Sequence, residues 1–218
     1  DPDGESLTYV LASTPSHGSA SLSGSTVTYT PTADYNGSDS FSFNVSDGAA
    51  TSSAATVSIT ITAVNDVPVI SLPDAQTVPE DDVLTLSTDN NNLASISDDA
   101  PESSTDLQVQ LAVENGILTL AQKTGLTIDP GADASDSLTI TGQLADINTA
   151  LAGLTYTPTA EWFGDATLTI TTNDNGGNGT GDGALEVTET LVITVQAVND
   201  APVNTIPDTQ NTNEETDL

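Results

Sequence analysis

The chain has 218 residues, and its 32 acidic side chains against one base, Lys123, give a formal charge of −31. With no basic patch it has nothing to neutralise phosphates, which excludes nucleic acid and anionic membrane surfaces as partners. With no cysteine, disulfide, thiolate and Cys-zinc chemistry are excluded too. Met is absent and aromatics are only 4% of the chain, so a core must come from Val, Ile, Leu and Ala, residues that suit thin sheets packed face to face. No apolar run approaches the ~20 residues that span a bilayer, so no membrane insertion is expected. Divalent cations are the natural counterions.

Residues 26–29, 40–45 and 56–61 alternate polar and apolar side chains, the period of a half-buried strand. Residues 107–111 and 138–140 do the same. Leu144, Ile147 and Leu151 then fall at helical spacing ahead of Gly153, which predicts a short amphipathic helix over roughly residues 143–152 with a glycine stop. Alternation resumes over 168–170 and 191–195. Short period-two runs between Gly and Asn turns predict an all-β chain of β-sandwich type, with the helix plugging one end of its second part.

An internal repeat organises these elements. Tyr29-Thr30-Pro31-Thr32-Ala33 recurs as Tyr156-Thr157-Pro158-Thr159-Ala160, an offset of 127, and the register carries Asp34 onto Glu161, Tyr35 onto Trp162, Gly37 onto Gly164 and Asp47 onto Asp174. Ala63-Val64-Asn65-Asp66 recurs as Ala197-Val198-Asn199-Asp200 at an offset of 134, which puts seven extra residues near the Gly-rich stretch 176–183. The expected organisation is a first repeat over 1–66, a longer one over 67–200, and the opening of a third over 201–218. The chain opens on Asp1 inside a motif, so it reads as an excerpt whose first repeat lacks about two N-terminal strands.

Asp1-Pro2-Asp3-Gly4, His17-Gly18, Tyr29-Thr30-Pro31, the stretch Tyr35-Asn36-Gly37-Ser38-Asp39-Ser40-Phe41 and the Asn-Asp-X-Pro linkers resemble the cadherin-like, VCBS-type tandem repeats of giant extracellular bacterial surface adhesins. The resemblance implies tandem cadherin-like or Ig-like β-sandwich domains at the cell surface or outside it. It also implies Ca2+ between consecutive domains. Carried over by position, one junction would use Asp34, Asn65 and Asp66 with Asp98, Asp99 and Asp174. The next would use Glu80, Glu161, Asn199 and Asp200, while Asp1, Asp3 and Asp47 would face an upstream repeat. Two departures, the adjacent Asp98-Asp99 pair and Val67 or Ala201 where a second Asn is usual, imply fewer ions per junction. Solvated turn residues are the plain alternative, since Asp and Asn are ordinary turn formers.

No catalytic constellation stands out. His17 is the single histidine and has no partner for a triad, so it reads as structural. Trp162 aligns with Tyr35 and reads as a corner aromatic rather than a sugar platform. Paired carboxylates without aromatic cleft walls do not make a glycosidase. Lys123 reads as a lone surface lysine, and the 176–179 loop lacks the lysine and helix of a phosphate cradle. The expected function is that of calcium-stiffened extender repeats of an adhesin, contacting neighbouring repeats and supporting cell adhesion or biofilm formation. The alternative is a carbohydrate- or protein-binding module of an extracellular multidomain protein, holding surface glycans or a like domain.

Overall fold

A computed structural model describes residues 4–98, 106–129, 133–176 and 183–204. A first unit is built from β1 (Thr8–Ser13), β2 (Gly18–Ser23), β3 (Thr26–Pro31), β4 (Gly37–Ser46) and β5 (Ala55–Ile61). An antiparallel sheet runs in the order β1-β4-β5, and β2 and β3 pair with each other as a hairpin. Gly24 takes the positive φ of +61° at the first position of its two-residue turn, where the right-handed twist of a hairpin calls for it. Leu22 and Val27 of the hairpin face Tyr9, Phe41, Phe43 and Val57 of the sheet around a cavity of about 240 Å³. Among the described residues before Ile70, the buried apolar side chains are Phe41 and the prolines Pro15 and Pro68.

The second unit is larger. In chain order it holds β6 (Val69–Ser71), β7 (Gln76–Pro79), β8 (Leu84–Thr85), β9 (Ser95–Ser97), β10 (Leu107–Val113), β11 (Gly116–Thr119), β12 (Leu126–Asp129) and β13 (Ser137–Gly142). The helix α1 (Leu144–Leu151), β14 (Thr155–Pro158), β15 (Gly164–Asn173) and β16 (Glu186–Gln196) follow. One sheet runs β12-β13-β10-β15-β16-β7, with β7 parallel to β16 and the other pairs antiparallel. The other runs β11-β14-β8, and β6 pairs with β9.

Alternation aims the side chains. On β10, Leu107, Val109, Leu111 and Val113 are buried while Gln108 and Gln110 are exposed. Ala166, Leu168 and Ile170 of β15 and Leu191, Ile193 and Val195 of β16 join the same core, which Leu118, Leu84 and Tyr156 close from the opposite sheet. The helix lies where the spacing predicts and buries Ile147, Ala150 and Leu151. Asn148 ties it to β9: its Oδ1 accepts the Ile96 N–H and its Nδ2 donates to the Ile96 carbonyl, both at 2.8 Å.

The repeat seen in the sequence is also a repeat of geometry. β1-β4-β5 corresponds to β10-β15-β16, and the β2-β3 pair to β11-β14. Asp34 and Glu161 both adopt left-handed backbone, at φ 60° and 62°. Tyr35 lies over Gly37 as Trp162 lies over Gly164. The second unit inserts β12, β13 and α1 between β11 and β14, so its long sheet gains two strands at one edge. Among the described residues no strand of 8–61 pairs with a strand of 69–196.

Gly18 and Gly116 occupy equivalent places under Tyr29 and Tyr156. A β-carbon at Gly18 would stand 2.6 Å from the Thr30 carbonyl oxygen, and one at Gly116 2.5 Å from that of Thr157 and against the Tyr156 ring. Gly116→Ala is therefore expected to destabilise the second unit by about 1–3 kcal/mol, the usual cost of overpacking. Gly18→Ala should do the same to the first unit, and chemical denaturation followed by tyrosine fluorescence reads both.

Candidate metal centres

Six of the sequence-selected carboxylates fall into two groups, Asp34, Asp66 and Asp98 in one and Glu80, Glu161 and Asp200 in the other. At the end of the first unit, Asp34, Asp66 and Asp98 line one cavity of about 290 Å³ together with Val67, Val69 and Ser97. Asp34 sits in the turn before β4, Asp66 in the linker after β5, and Asp98 directly after β9. Asp34 and Asp66 are exposed and Asp98 is half-buried. Asp99, Asp1 and Asp3 lie outside the described residues.

Asn65 and Asp174 meet beside the linker. The Asn65 amide nitrogen donates to Asp174 Oδ2 at 2.8 Å and to the Gly183 carbonyl at 2.9 Å. Asp174 is fully buried, and its Oδ1 accepts the backbone N–H groups of Gly176 and Leu185. Both neighbours of the Asn65 nitrogen are acceptors, which fixes the amide orientation. Asn65 is 8% exposed, yet its Oδ1 has no hydrogen-bond partner among the described residues. A buried amide oxygen in that state is costly, and it is a ligand type that suits calcium.

At the far end of the second unit, Glu161 faces Asp200, Glu80 and Asp81. The Asp200 carboxylate, then burial, then Glu80 and Asp81 raise the Glu161 carboxyl above its usual range. Glu80 is buried, and its Oε1 accepts the Val198 N–H at 2.7 Å, strapping the end of β7 to the segment after β16. Asn199 is exposed and turns its amide toward the Asp200 carbonyl at 3.4 Å. Asp81 belongs to this group although the sequence reading passed over it; its adjacency to Glu80 was the available signal.

Asp47 stands apart. Its Oδ1 accepts the N–H groups of Ala50 and Ala49 at 2.7 Å, and these bonds hold its carboxyl below the ordinary range. The donors at both ends are hard oxygens, which fits calcium rather than a softer metal. Among the described residues, though, no three acidic or imidazole groups close into a ready-made cage.

A further carboxylate escaped the sequence reading. Asp39 is buried, 6% exposed, on the same strand face as Phe41. Its oxygens accept the backbone N–H and hydroxyl of Ser16 at 3.0 and 3.2 Å, the His17 N–H at 3.0 Å and the Tyr29 hydroxyl at 2.8 Å. Burial works to raise the Asp39 carboxyl, but the Ser16, Tyr29, Ser40 and His17 bonds outweigh it and hold the group far below the usual range. Burial and the same carboxylate push the Tyr29 hydroxyl up to about 12. The His17 ring stacks on Tyr35 with centroids 3.9 Å apart. Inward placement on an alternating strand was the legible clue to Asp39. Lys123, expected to stand alone, pairs with Asp133 at 2.8 Å.

Comparison with known proteins bears on this architecture. Residues 1–60 match the family model of the bacterial Ig domain. This Ig-type unit carries the His17-Gly18 and Tyr29 corner described above, in keeping with the resemblance to bacterial Ig-like and cadherin-like repeats. No curated protein matches the chain. Among solved structures, the extracellular cadherin domains 1–5 of protocadherin gamma B2 are 14% identical with a TM-score of 0.47, over 89% of this chain and 32% of that one. The chain thus spans about a third of that structure's length. Human mucin-like protocadherin EC1-2 is 14% identical at a TM-score of 0.42, over 88% of this chain and 85% of that one. AggA, the major subunit of an Escherichia coli aggregative adherence fimbria, is 15% identical at 0.32, over 61% and 98%.

The depressed Asp39 carboxyl sets a pH dependence for the Ig-type unit. Its stabilising contribution is fully present above the unfolded aspartate value of ~3.9 and is lost as pH falls toward the folded value. Asp39→Asn is expected to make the β2–β4 amides exchange faster at neutral pH and to flatten the loss of protection on acidification. Wild-type exchange rates, compared at matched intrinsic rates, check it.

Proposed function

We propose that this chain is a non-catalytic pair of calcium-stiffened extender repeats from a large secreted or cell-surface bacterial adhesin. One observation carries the reading: the turn acid and the linker Asp, at equivalent positions of the repeat, each time meet a further carboxylate at the two ends of the second unit. Asp34, Asp66 and Asp98 do so at one end, and Glu161, Asp200 and Glu80 at the other. Each group combines a left-handed turn residue, a linker Asp and an acid of the following or same unit. With one lysine in the chain, and that one engaged by Asp133, no side-chain cation offsets either group among the described residues.

Calcium would supply the missing positive charge and six to eight oxygen contacts. Asp34, Asp66 and Asp98 would hold it at the upper end, with Asp99 next in sequence. Glu80, Glu161 and Asp200 would hold it at the lower end. Asp174 is then a positioning residue: it locks Asn65 and so fixes the linker that carries Asp66. Without the ion, carboxylate repulsion acts across the joint. With it, one ion bridges both units, and the joint becomes a segment of a rod. The bacterial Ig match of residues 1–60 supports the extracellular setting. No helix among the described residues is long and apolar enough to cross a membrane.

A site filled at ~100 times its Kd adds about 2.7 kcal/mol to stability, so melting in calcium should sit clearly above melting in EDTA. Equal midpoints would remove the calcium reading. Scattering should show a longer, narrower distance distribution on adding calcium, and Asp66→Ala should blunt that response.

Glu161→Gln gives a test of opposite sign. Removing one of several crowded acids should raise the midpoint in EDTA and lower it in calcium, with the neighbouring Trp162 as the fluorescent reporter. A shift of the same sign in both buffers contradicts a metal at that end.

A further inference from the structure

β1 leaves one edge of its sheet open. Among the described residues β4 pairs with one side of Thr8–Ser13 and no strand pairs with the other. The counterpart strand in the second unit, β10, has that edge filled: β13 runs antiparallel along it, with Gln110 opposite Thr139. Val10 and Gln110 are equivalent, since Val10 lies opposite Asn44 and Gln110 opposite Thr171. β13 comes from the stretch between β11 and β14, and the corresponding stretch of the first unit is the two-residue turn Gly24-Ser25 between β2 and β3. The strands that precede β10 pair elsewhere, β7 with β16, β8 with β14 and β6 with β9. A short turn inside the first unit therefore sets its open edge.

Edge strands of soluble proteins are normally blunted by charge, proline or shortness. β12, the free edge of the second unit's long sheet, follows that pattern, with four residues ending on Asp129. β1 does not. Thr8-Tyr9-Val10-Leu11-Ala12-Ser13 has no charge, proline or glycine in a chain carrying 32 acids, and its bulge lies at the end, between Leu11 and Ser13. Val10 is 59% exposed. The outward residues of β4 paired with β1, Ser42, Asn44 and Ser46, are uncharged as well. A β-favouring, uncharged strand of six residues has the composition that pairs with its own kind. Beside it, between β1 and the short turn, lies a cavity of about 550 Å³ lined by Leu7, Thr8, Tyr9, Leu22, Gly24 and Ser25.

We propose that β1 pairs antiparallel with β1 of a second copy, giving a two-fold dimer whose shared sheet runs β5-β4-β1-β1-β4-β5. Charge selects this occupant. Two chains of charge −31 repel each other, and an uncharged strand is where they can meet. A basic partner finds no carboxylate on β1 or at the paired positions of β4, whereas an identical strand matches it face for face. The two-fold axis stands perpendicular to the sheet and keeps outward side chains outward, so opposed residues share a face. Centred on Val10, it sets Val10 against Val10 of the second copy on the outer face, and Tyr9 against Leu11 of the second copy on the inner face. An exposed valine leaves water, and two half-buried apolar side chains meet beside the cavity. The contact is isologous and closes at two chains.

No candidate calcium ligand lies on β1, so this contact is independent of the calcium reading above. Association is expected in calcium and in EDTA alike, and it should strengthen with salt, which screens the acids of the two copies. Pairing over a few residues makes a small interface, so the dimer should appear only as concentration rises.

The absence of native cysteines permits a direct test on the full chain. Under mild oxidation Val10→Cys should form a disulfide dimer severalfold faster than Ser40→Cys, an exposed site on β4 away from the edge, and the difference should vanish in denaturant. Equal rates in the folded state overturn the proposal. Sedimentation velocity supplies the second measurement. The wild type should grow in size with concentration. Val10→Glu and Val10→Lys set like charges against each other at the axis, so each should reduce this growth severalfold, and their equimolar mixture should recover it. Val10 is exposed, so both variants should keep the wild-type amide protection of β4 and β5. A wild type that stays monomeric up to its solubility limit overturns the proposal. So does growth that the variants leave unchanged, a mixture that fails to recover it, or growth confined to calcium, which assigns the contact to the acid groups instead.

Discussion

With one lysine against 32 acids, nearly every carboxylate in this protein must be satisfied by something other than a side-chain cation. The structure answers mainly with backbone N–H groups. Asp39 takes those of Ser16 and His17, Asp47 those of Ala49 and Ala50, Asp174 those of Gly176 and Leu185, and Glu80 that of Val198. An N–H bonded to a charged acceptor makes a stronger contact than one bonded to a neutral oxygen. Such bonds knit turns and linkers to strands in a protein whose apolar supply is modest. Among the described residues Asp133 draws on Lys123.

That division separates structural acids from candidate ligands. Acids with N–H partners have depressed carboxyl values where a shift is resolved, as at Asp39 and Asp47. Glu161, facing other acids instead, is displaced upward. Opposite displacement of the same kind of group in one chain separates carboxylates held by N–H donors from one crowded by like charge. Beside the linker, the buried amide oxygen of Asn65 has no partner among the described residues, and its nitrogen is committed to Asp174 and Gly183.

The two copies of the repeat solve the same packing problem with different means. In the first, Asp39 and its polar ring of donors occupy the place that Ala166, fully buried, takes in the second. In the second, β12, β13 and β7 widen the long sheet and, with α1, enclose a continuous core. Common to both are the glycine under the tyrosine of β3 or β14, and the aromatic side chain over the glycine that starts β4 or β15. Those contacts fix the corner from which the left-handed Asp34 or Glu161 projects, which is how a packing device comes to position a charged site.

The sequence by itself determined the strand faces, the helix over 144–151, the repeat register and the pairing of Asp34 with Glu161 as equivalent turns. All are written in short-range patterns: alternation of period two, helical spacing, Gly and Asn at positive φ. Tertiary structure alone decided that β7 runs parallel to β16, that β12 and β13 extend the long sheet, and that Asn65 and Asp174, grouped at one junction by the resemblance, bond directly across 109 residues of chain. It also decided which acids are desolvated. Asp39 and Asp47 look alike in sequence as polar residues of one strand region, yet one is enclosed by Ser16, His17 and Tyr29 while the other caps a turn. The charge state of a carboxylate depends on every donor and charge within a few ångströms, and those neighbours come from parts of the chain that only folding brings together.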